Sequence, residues 1–203
     1  MIPNFINSYE VLAPHECERI IDYFNHDDRR HRGKVIGGEE GDTIEAIKQS
    51  TDIYIHFGDM WCHEYDNKYN DIILPGVRYA INQWVETHGF LQAMPAFTSY
   101  ESYNIQHYKD GEGYFGLHCE CQPDPDSERF IYRMGAWMIY LNDAESGTEF
   151  PYQEVTLKPE QGVCTVWPAY WTHPHKGVTP NRGDKYIATG WVNFLNPNDE
   201  NHK

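Results

Sequence analysis

The half of the chain from about Ala96 onward most constrains the fold, because it consists of short aromatic and β-branched runs cut repeatedly by Gly, Pro, Asn and Asp. Runs of that length bounded by turn residues read as strands of an all-β sandwich or barrel. The expected strands are Ser99 to Tyr108, Arg133 to Leu141, Gly162 to Trp167, Thr172 to Gly177 and Lys185 to Phe194. Asp110-Gly111, Asn142-Asp143, Ser146-Gly147 and Arg182-Gly183 supply the turns between them. The stretch Cys121 to Ser127, with Pro123 and Pro125 among acids, is too broken for a strand.

The first part of the chain has a different period. Pro14 stands at a plausible first helical turn, and Cys17, Ile20, Ile21 and Phe24 follow at helical spacing. A second helix is expected to start near Pro75, carry Val77, Ala80, Ile81, Trp84 and Val85 on one face, and end at Gly89. Between them, Lys34 to Ile36 and Thr51 to Phe57 read as strands joined by a loop rich in glycine and acids around Gly37 to Thr43. The expected architecture is mainly β, helices packed outside an antiparallel jelly roll. At 203 residues the chain reads as a single domain, with helices and accessory strands over about 1–95 and the jelly-roll core over about 96–195.

Charge and targeting narrow the function classes. With 31 acids against 16 bases, the net charge of -15 would repel a phosphate backbone, so nonspecific nucleic-acid binding is disfavoured. The start MIPNFINSYEVL lacks a basic region followed by an apolar one, and no stretch reaches the roughly 18 apolar residues of a membrane span. The five cysteines (Cys17, Cys62, Cys119, Cys121 and Cys164) include no CxxC pair and suit reduced thiols. Together these point to a cytoplasmic protein with no membrane partner.

The chemistry concentrates in Gly116-Leu117-His118-Cys119-Glu120-Cys121. On a strand His118 and Glu120 leave one face and the two thiols the other, which weakens a zinc site built from His118, Cys119 and Cys121 together. A His-x-Glu pair is common by itself. It gains meaning from Trp171-Thr172-His173-Pro174-His175-Lys176-Gly177 downstream, because two histidines and one carboxylate on one face of a metal leave open positions, the arrangement of non-haem Fe(II) oxygenases. His173 and His175 compete for the third place, and strand parity does not separate them. A cosubstrate with two carboxylates also needs a fixed cation, and Lys185 returns alongside after the Pro180-Asn181-Arg182-Gly183 turn. Trp137, Trp167 and Trp171 read as aromatics that support the cavity.

These stretches resemble the prolyl 4-hydroxylase-like branch of the 2-oxoglutarate oxygenases, particularly short forms of bacteria, algae and phages. The resemblance rests on Tyr108 through Glu120, Arg133 through Phe150 and Gly162 through Trp191, about half of the chain. It implies a double-stranded β-helix whose open end holds Fe(II) through His118, Glu120 and His175. The family spacing selects His175, which lies ten residues before Lys185 with Gly183 two before that lysine. It further implies that Lys185 and Tyr108 bind 2-oxoglutarate, and that Tyr114, Arg133 and Trp191 bind substrate. O2 is then a cosubstrate, succinate and CO2 are coproducts, and ascorbate is a candidate reductant. The implied reaction is 4-hydroxylation of a prolyl residue in a proline-containing peptide or protein, in a host cytoplasm if the source is viral. A free amino acid, another side chain, or metal binding without turnover are the alternatives. Two departures stand out: Glu120 replaces the usual Asp, and Ser146-Gly147-Thr148-Glu149 replaces a double glycine. The carboxylate at 120 argues for hydroxylation over halogenation, which needs that position open.

Overall fold

The computed structural model describes residues 4–34, 46–56, 64–99, 101–121, 132–178 and 182–195. In chain order the elements are β1 (Asn7–Glu10), α1 (Pro14–His26), β2 (His31–Arg32), β3 (Lys48–Gln49), β4 (Thr51–Ile55), α2 (Glu64–Thr87), a 3-10 turn (Gly89–Ala93), β5 (Phe97–Thr98), β6 (Tyr103–Tyr108), β7 (Gly113–Tyr114), β8 (Arg133–Tyr140), β9 (Thr148–Phe150), β10 (Val155–Leu157), β11 (Val163–Pro168), β12 (Lys176–Gly177) and β13 (Lys185–Phe194).

The major sheet runs β1-β11-β8-β13-β6-β4-β2, with β5 on the end of β13. A minor sheet, β10-β9-β12, lies apart from it, and β3 pairs with β7. All these pairings are antiparallel, and the two sheets make the jelly roll. Alternation along the major strands divides the side chains between two layers. One face (Ile53, Ile55, Tyr103, Ile105, Trp137, Ile139, Val166, Ala188) packs against the helices. The other face (Tyr108, Ala136, Met138, Tyr140, Trp167, Ile187) turns toward Phe150 of the minor sheet. That second face also presents the site. Register places Lys185 opposite Tyr108, Ile187 opposite both Gln106 and Tyr140, and Thr189 opposite both Asn104 and Met138.

α1 forms where the sequence places it. Pro14 occupies its first turn, the Glu16 carboxylate accepts from the Ala13 amide at 2.8 Å, and Cys17, Ile20 and Phe24 are buried. α2 differs from expectation: it begins at Glu64, and Pro75 lies inside it on the exposed side. The buried stripe Tyr69, Ile72 and Ile73 continues through Val77, Ala80, Ile81 and Trp84. Burying each such large side chain contributes about 1.5–3 kcal/mol, which together outweighs the roughly 3 kcal/mol of a mid-helix proline.

Other boundaries shift for similar reasons. Residues 172–174 form a turn instead of a strand, since Pro174 has no amide to donate, and only Lys176–Gly177 joins a sheet. Lys34 is not in a strand; the short strand falls at His31–Arg32 instead, paired with β4. Trp171 is 76% exposed and supports no cavity, whereas Trp137 and Trp167 are buried. Residues 35–36, the loop Gly37 to Thr43, Cys62, 122–127 and Pro180-Asn181 lie outside the described residues. No described helix is long and apolar enough to cross a membrane.

Candidate active site

Lys185 heads β13 and Tyr108 ends β6, so the antiparallel register sets them side by side on the pocket face. The turn before Lys185 depends on Gly183, whose φ of +69° is a left-handed conformation that glycine adopts without steric cost, and its amide donates to Asp110 Oδ1 at 2.9 Å. Across the pocket, His175 directly precedes β12 of the minor sheet. Its backbone exchanges two hydrogen bonds with His118, of 2.8 and 3.0 Å. Glu120 is held next to them by its amide, which donates to the Ala169 carbonyl at 3.0 Å.

The side chains of His118, Glu120 and His175 therefore converge, with their ligating atoms all within 4.8 Å of one another. His118 Nε2 lies 3.6 Å and His175 Nε2 3.2 Å from the same carboxylate oxygen, Glu120 Oε1. The Nδ1 atoms face carbonyl oxygens, that of Gly116 at 2.9 Å and that of His173 at 3.1 Å, so both Nδ1 atoms must donate. That tautomer leaves the Nε2 lone pairs aimed at an acceptor-only carboxylate. Three electron-pair donors facing each other call for a cation between them. Burial pushes the His175 imidazole below its ordinary range, with the His118 charge adding to the effect, and so favours a neutral ligand. Burial opposes ionisation of Glu120, yet with the imidazoles protonated and no cation between the three groups, their hydrogen bonds and charge hold its carboxyl well below the usual range. Aromatic rings fix the imidazoles: Tyr114 stacks on His118 at 3.8 Å, and Phe150 and Trp167 lie 5.0 and 5.1 Å from His175.

His173 stands outside this cluster. Its ring bonds the Asn4 carbonyl at 2.8 Å and the Thr172 hydroxyl at 2.9 Å, while its own carbonyl orients His175. The segment around His118 forms one isolated bridge and no regular strand. Strand parity therefore does not hold here: Cys119, expected on the opposite face, lines the pocket with His118 and Glu120, whereas Cys121 does not.

Lys185 is 4% exposed, and among the described residues no carboxylate pairs with it. Its ammonium donates to the Ser146 carbonyl at 3.1 Å and lies 5.0 Å from the Tyr108 ring. Burial lowers its pKa to about 8. Beside it the hydroxyls of Tyr140 and Thr148 bond each other at 2.9 Å, and Tyr108 donates to Gln106 Oε1 at 2.6 Å. Burial, followed by the Asp52 charge, raises Tyr108 well above its ordinary value and keeps the phenol protonated. A second buried lysine, Lys48, is neutralised by Asp52 at 2.6 Å. The donor set suits Fe(II), and an ammonium without an acid partner, flanked by hydroxyls, suits the far carboxylate of a small dicarboxylate.

The three residues expected at the substrate side line the same pocket of about 170 Å³. Tyr114 covers His118. Arg133 is 4% exposed and already paired with Glu101, and it stacks on Trp191 at 3.6 Å. Sequence reasoning missed Glu101, Tyr140, Thr148 and the Lys48–Asp52 pair. Tyr140 carried a readable signal, since it shares strand parity with Met138 and Ala136 on the pocket face. Lys48 and Asp52 carried none, because a chain bend and not a periodic element brings them together.

Comparison with known proteins agrees with this geometry. Residues 103–193 match the family model described as the 2OG-Fe(II) oxygenase superfamily. No curated protein matches in sequence. Among solved structures, a viral collagen prolyl hydroxylase from Paramecium Bursaria Chlorella virus-1 aligns over 94% of this chain and 97% of its own, at 18% identity and a TM-score of 0.62. A Pseudomonas putida prolyl-4-hydroxylase aligns over 95% and 94%, also at 18% identity and 0.62. A Trichoplax adhaerens prolyl hydroxylase, solved with a peptide fragment of the hypoxia inducible factor oxygen degradation domain, aligns over 94% and 84% at 14% identity and 0.65. At these identities the likeness shows the fold. The family match over residues 103–193, together with the prolyl 4-hydroxylase-like fold, supports a 2-oxoglutarate-dependent dioxygenase.

Proposed function

We propose that the chain 4-hydroxylates prolyl residues of proline-containing peptides or proteins, consuming 2-oxoglutarate and O2 and releasing succinate and CO2. The observation that carries the reading is the presence, in one pocket, of a three-donor metal site and a buried ammonium with no acid partner among the described residues. Fe(II) bound there would let 2-oxoglutarate and O2 together replace a C–H bond by C–OH, one oxygen atom going to the substrate and the other to succinate.

The chain's own residues bind and orient. His118 and His175 offer Nε2 lone pairs, and Glu120 offers Oε1. Lys185 receives the far carboxylate of 2-oxoglutarate, and the Tyr140 and Thr148 hydroxyls, which line the same pocket, offer further donors. Tyr108, its ring 5.0 Å from that lysine, lines the same pocket as a protonated phenol. Met138, Ile187 and Trp167 wall the cavity with apolar surface and limit the water that reaches the reacting atoms. On the substrate side, Tyr114 and the exposed parts of Arg133 and Trp191 border the target residue. Asn104 Oδ1, buried beside the pocket with no hydrogen-bond partner among the described residues, offers an acceptor to a peptide N–H. The peptide seen with the Trichoplax neighbour supports a peptide as the substrate class.

The test has two stages. Anaerobic addition of Fe(II) and 2-oxoglutarate is expected to give a visible charge-transfer band, and admission of air to give succinate. A panel of proline-containing peptides with free proline as a control, read by mass, is expected to show one added oxygen on a prolyl residue of a peptide. Band and succinate without any modified peptide would refute the prolyl substrate while keeping the dioxygenase.

A further inference from the structure

We propose that Trp191 is a positioning residue for Glu120: its indole N–H holds the outer carboxylate oxygen, so that the other oxygen alone faces the imidazoles. The inference rests on the metal site proposed above. Trp191 Nε1 donates to Glu120 Oε2 at 2.6 Å, whereas both histidine Nε2 atoms approach Oε1. The two carboxylate oxygens are thus divided between the indole and the metal position. An indole has one N–H, and here it is committed to Glu120, so Trp191 cannot also donate to a substrate.

One face of the ring is committed too. The Arg133 guanidinium stacks on it at 3.6 Å and donates to the Glu120 carbonyl at 3.2 Å. Arg133 is in turn fixed by Glu101, whose Oε2 accepts from Arg133 Nε at 3.0 Å and from Asn193 Nδ2 at 3.0 Å. Asn193 and Arg133 are register partners on β13 and β8, so the platform under the indole is tied to the major sheet. The chain Glu101–Arg133–Trp191–Glu120 therefore carries the rigidity of the sheet to a ligand whose backbone is held by its amide hydrogen bond to the Ala169 carbonyl and by Arg133 at its own carbonyl. This also accounts for glutamate at position 120. An aspartate, one methylene shorter, would pull both oxygens back and could not span from the indole to the two imidazoles without movement of the backbone.

Trp191→Phe keeps an aromatic face for Arg133 and removes the donor together with the pyrrole part of the ring. Co(II), which resists oxidation in air, serves as the probe, read by its visible bands and by calorimetry on the full chain. The variant is expected to bind Co(II) about 10- to 100-fold more weakly with shifted bands, the usual effect of losing a group that orients a metal ligand. Unchanged affinity and bands would overturn the positioning role alone. A wild-type chain that fails to bind Co(II) would overturn the metal site and this inference with it. Independently of any metal, the Trp191 indole signal in 15N-labelled protein is expected to move upfield in Glu120→Gln, and a signal that stays in place would also overturn it.

Discussion

His173 and His175 are two residues apart, yet the site uses different parts of them: the imidazole of one and the carbonyl of the other. His175→Ala is therefore expected to abolish the anaerobic Fe(II)–2-oxoglutarate band, whereas His173→Ala keeps the carbonyl that orients His175 and largely retains the band; the reverse result would reassign the ligand. Lys185 allows a second prediction. Burial lowers its pKa to about 8, so the ammonium is charged below that pH and becomes neutral above it. A carboxylate needs the charged form. The dissociation constant for 2-oxoglutarate, titrated without oxygen, is expected to be flat below pH 8 and to rise about tenfold per pH unit above it. Lys185→Arg, always charged, is expected to remove that rise. The departure at Ser146-Gly147 also resolves at this scale, because the backbone and not the side chain of Ser146 meets Lys185.

The elements are held in place by a few buried polar locks and close backbone approaches. Between α1 and α2, Arg29 bridges Asp27 at 2.8 Å and Asp66 at 2.7 Å, and Tyr69 donates to Asp27 at 3.1 Å. Burial opposes the charge on Asp27, but the hydrogen bonds and charge of Arg29 overcome it and hold the carboxyl down to about 2. A folded-state pKa below the unfolded value of about 3.9 means the contribution is complete above that value and is lost as pH falls toward 2. Asp27→Asn is expected to cost about 2 kcal/mol at neutral pH, after allowance for the partial exposure of Arg29, and to flatten the acid limb of the stability curve. Urea unfolding at several pH values measures both. Ahead of β9, a Cβ on Gly147 would fall 1.6 Å from the Leu157 carbonyl oxygen, a backbone atom of β10. Gly147→Ala is expected to destabilise by about 1–3 kcal/mol and, by moving Ser146, to weaken 2-oxoglutarate binding. One glycine of the family's usual pair is thus required here, and the other position accepts a serine.

Over the whole molecule, a net charge of -15 surrounds a pocket whose wall includes Lys34, Lys48, Arg133 and Lys185. The excess acids repel one another, so moderate NaCl is expected to raise the thermal midpoint, while the buried Lys48–Asp52 pair is little screened. A midpoint that falls with salt would mean that surface ion pairs dominate. The alternation of β6, β8 and β13 was legible because a half-buried strand must repeat its apolar residues every second position, and α1 because its stripe repeats at helical spacing behind a proline. Those local periods determined the mainly β class and the strand over Lys185 to Phe194; residue type and spacing made His118, Glu120 and Lys185 candidates, and only the spacing of the family the chain resembles chose His175 over His173. The periods did not determine where α2 begins, since the energy that overrides Pro75 comes from the sheet beneath it. Nor did they reveal that Arg133 is bound to Glu101, or that the Trp191 indole reaches the second oxygen of Glu120. Those contacts join residues 32 and 71 positions apart, and only the packing of β13 beside β8 brings them within hydrogen-bonding distance.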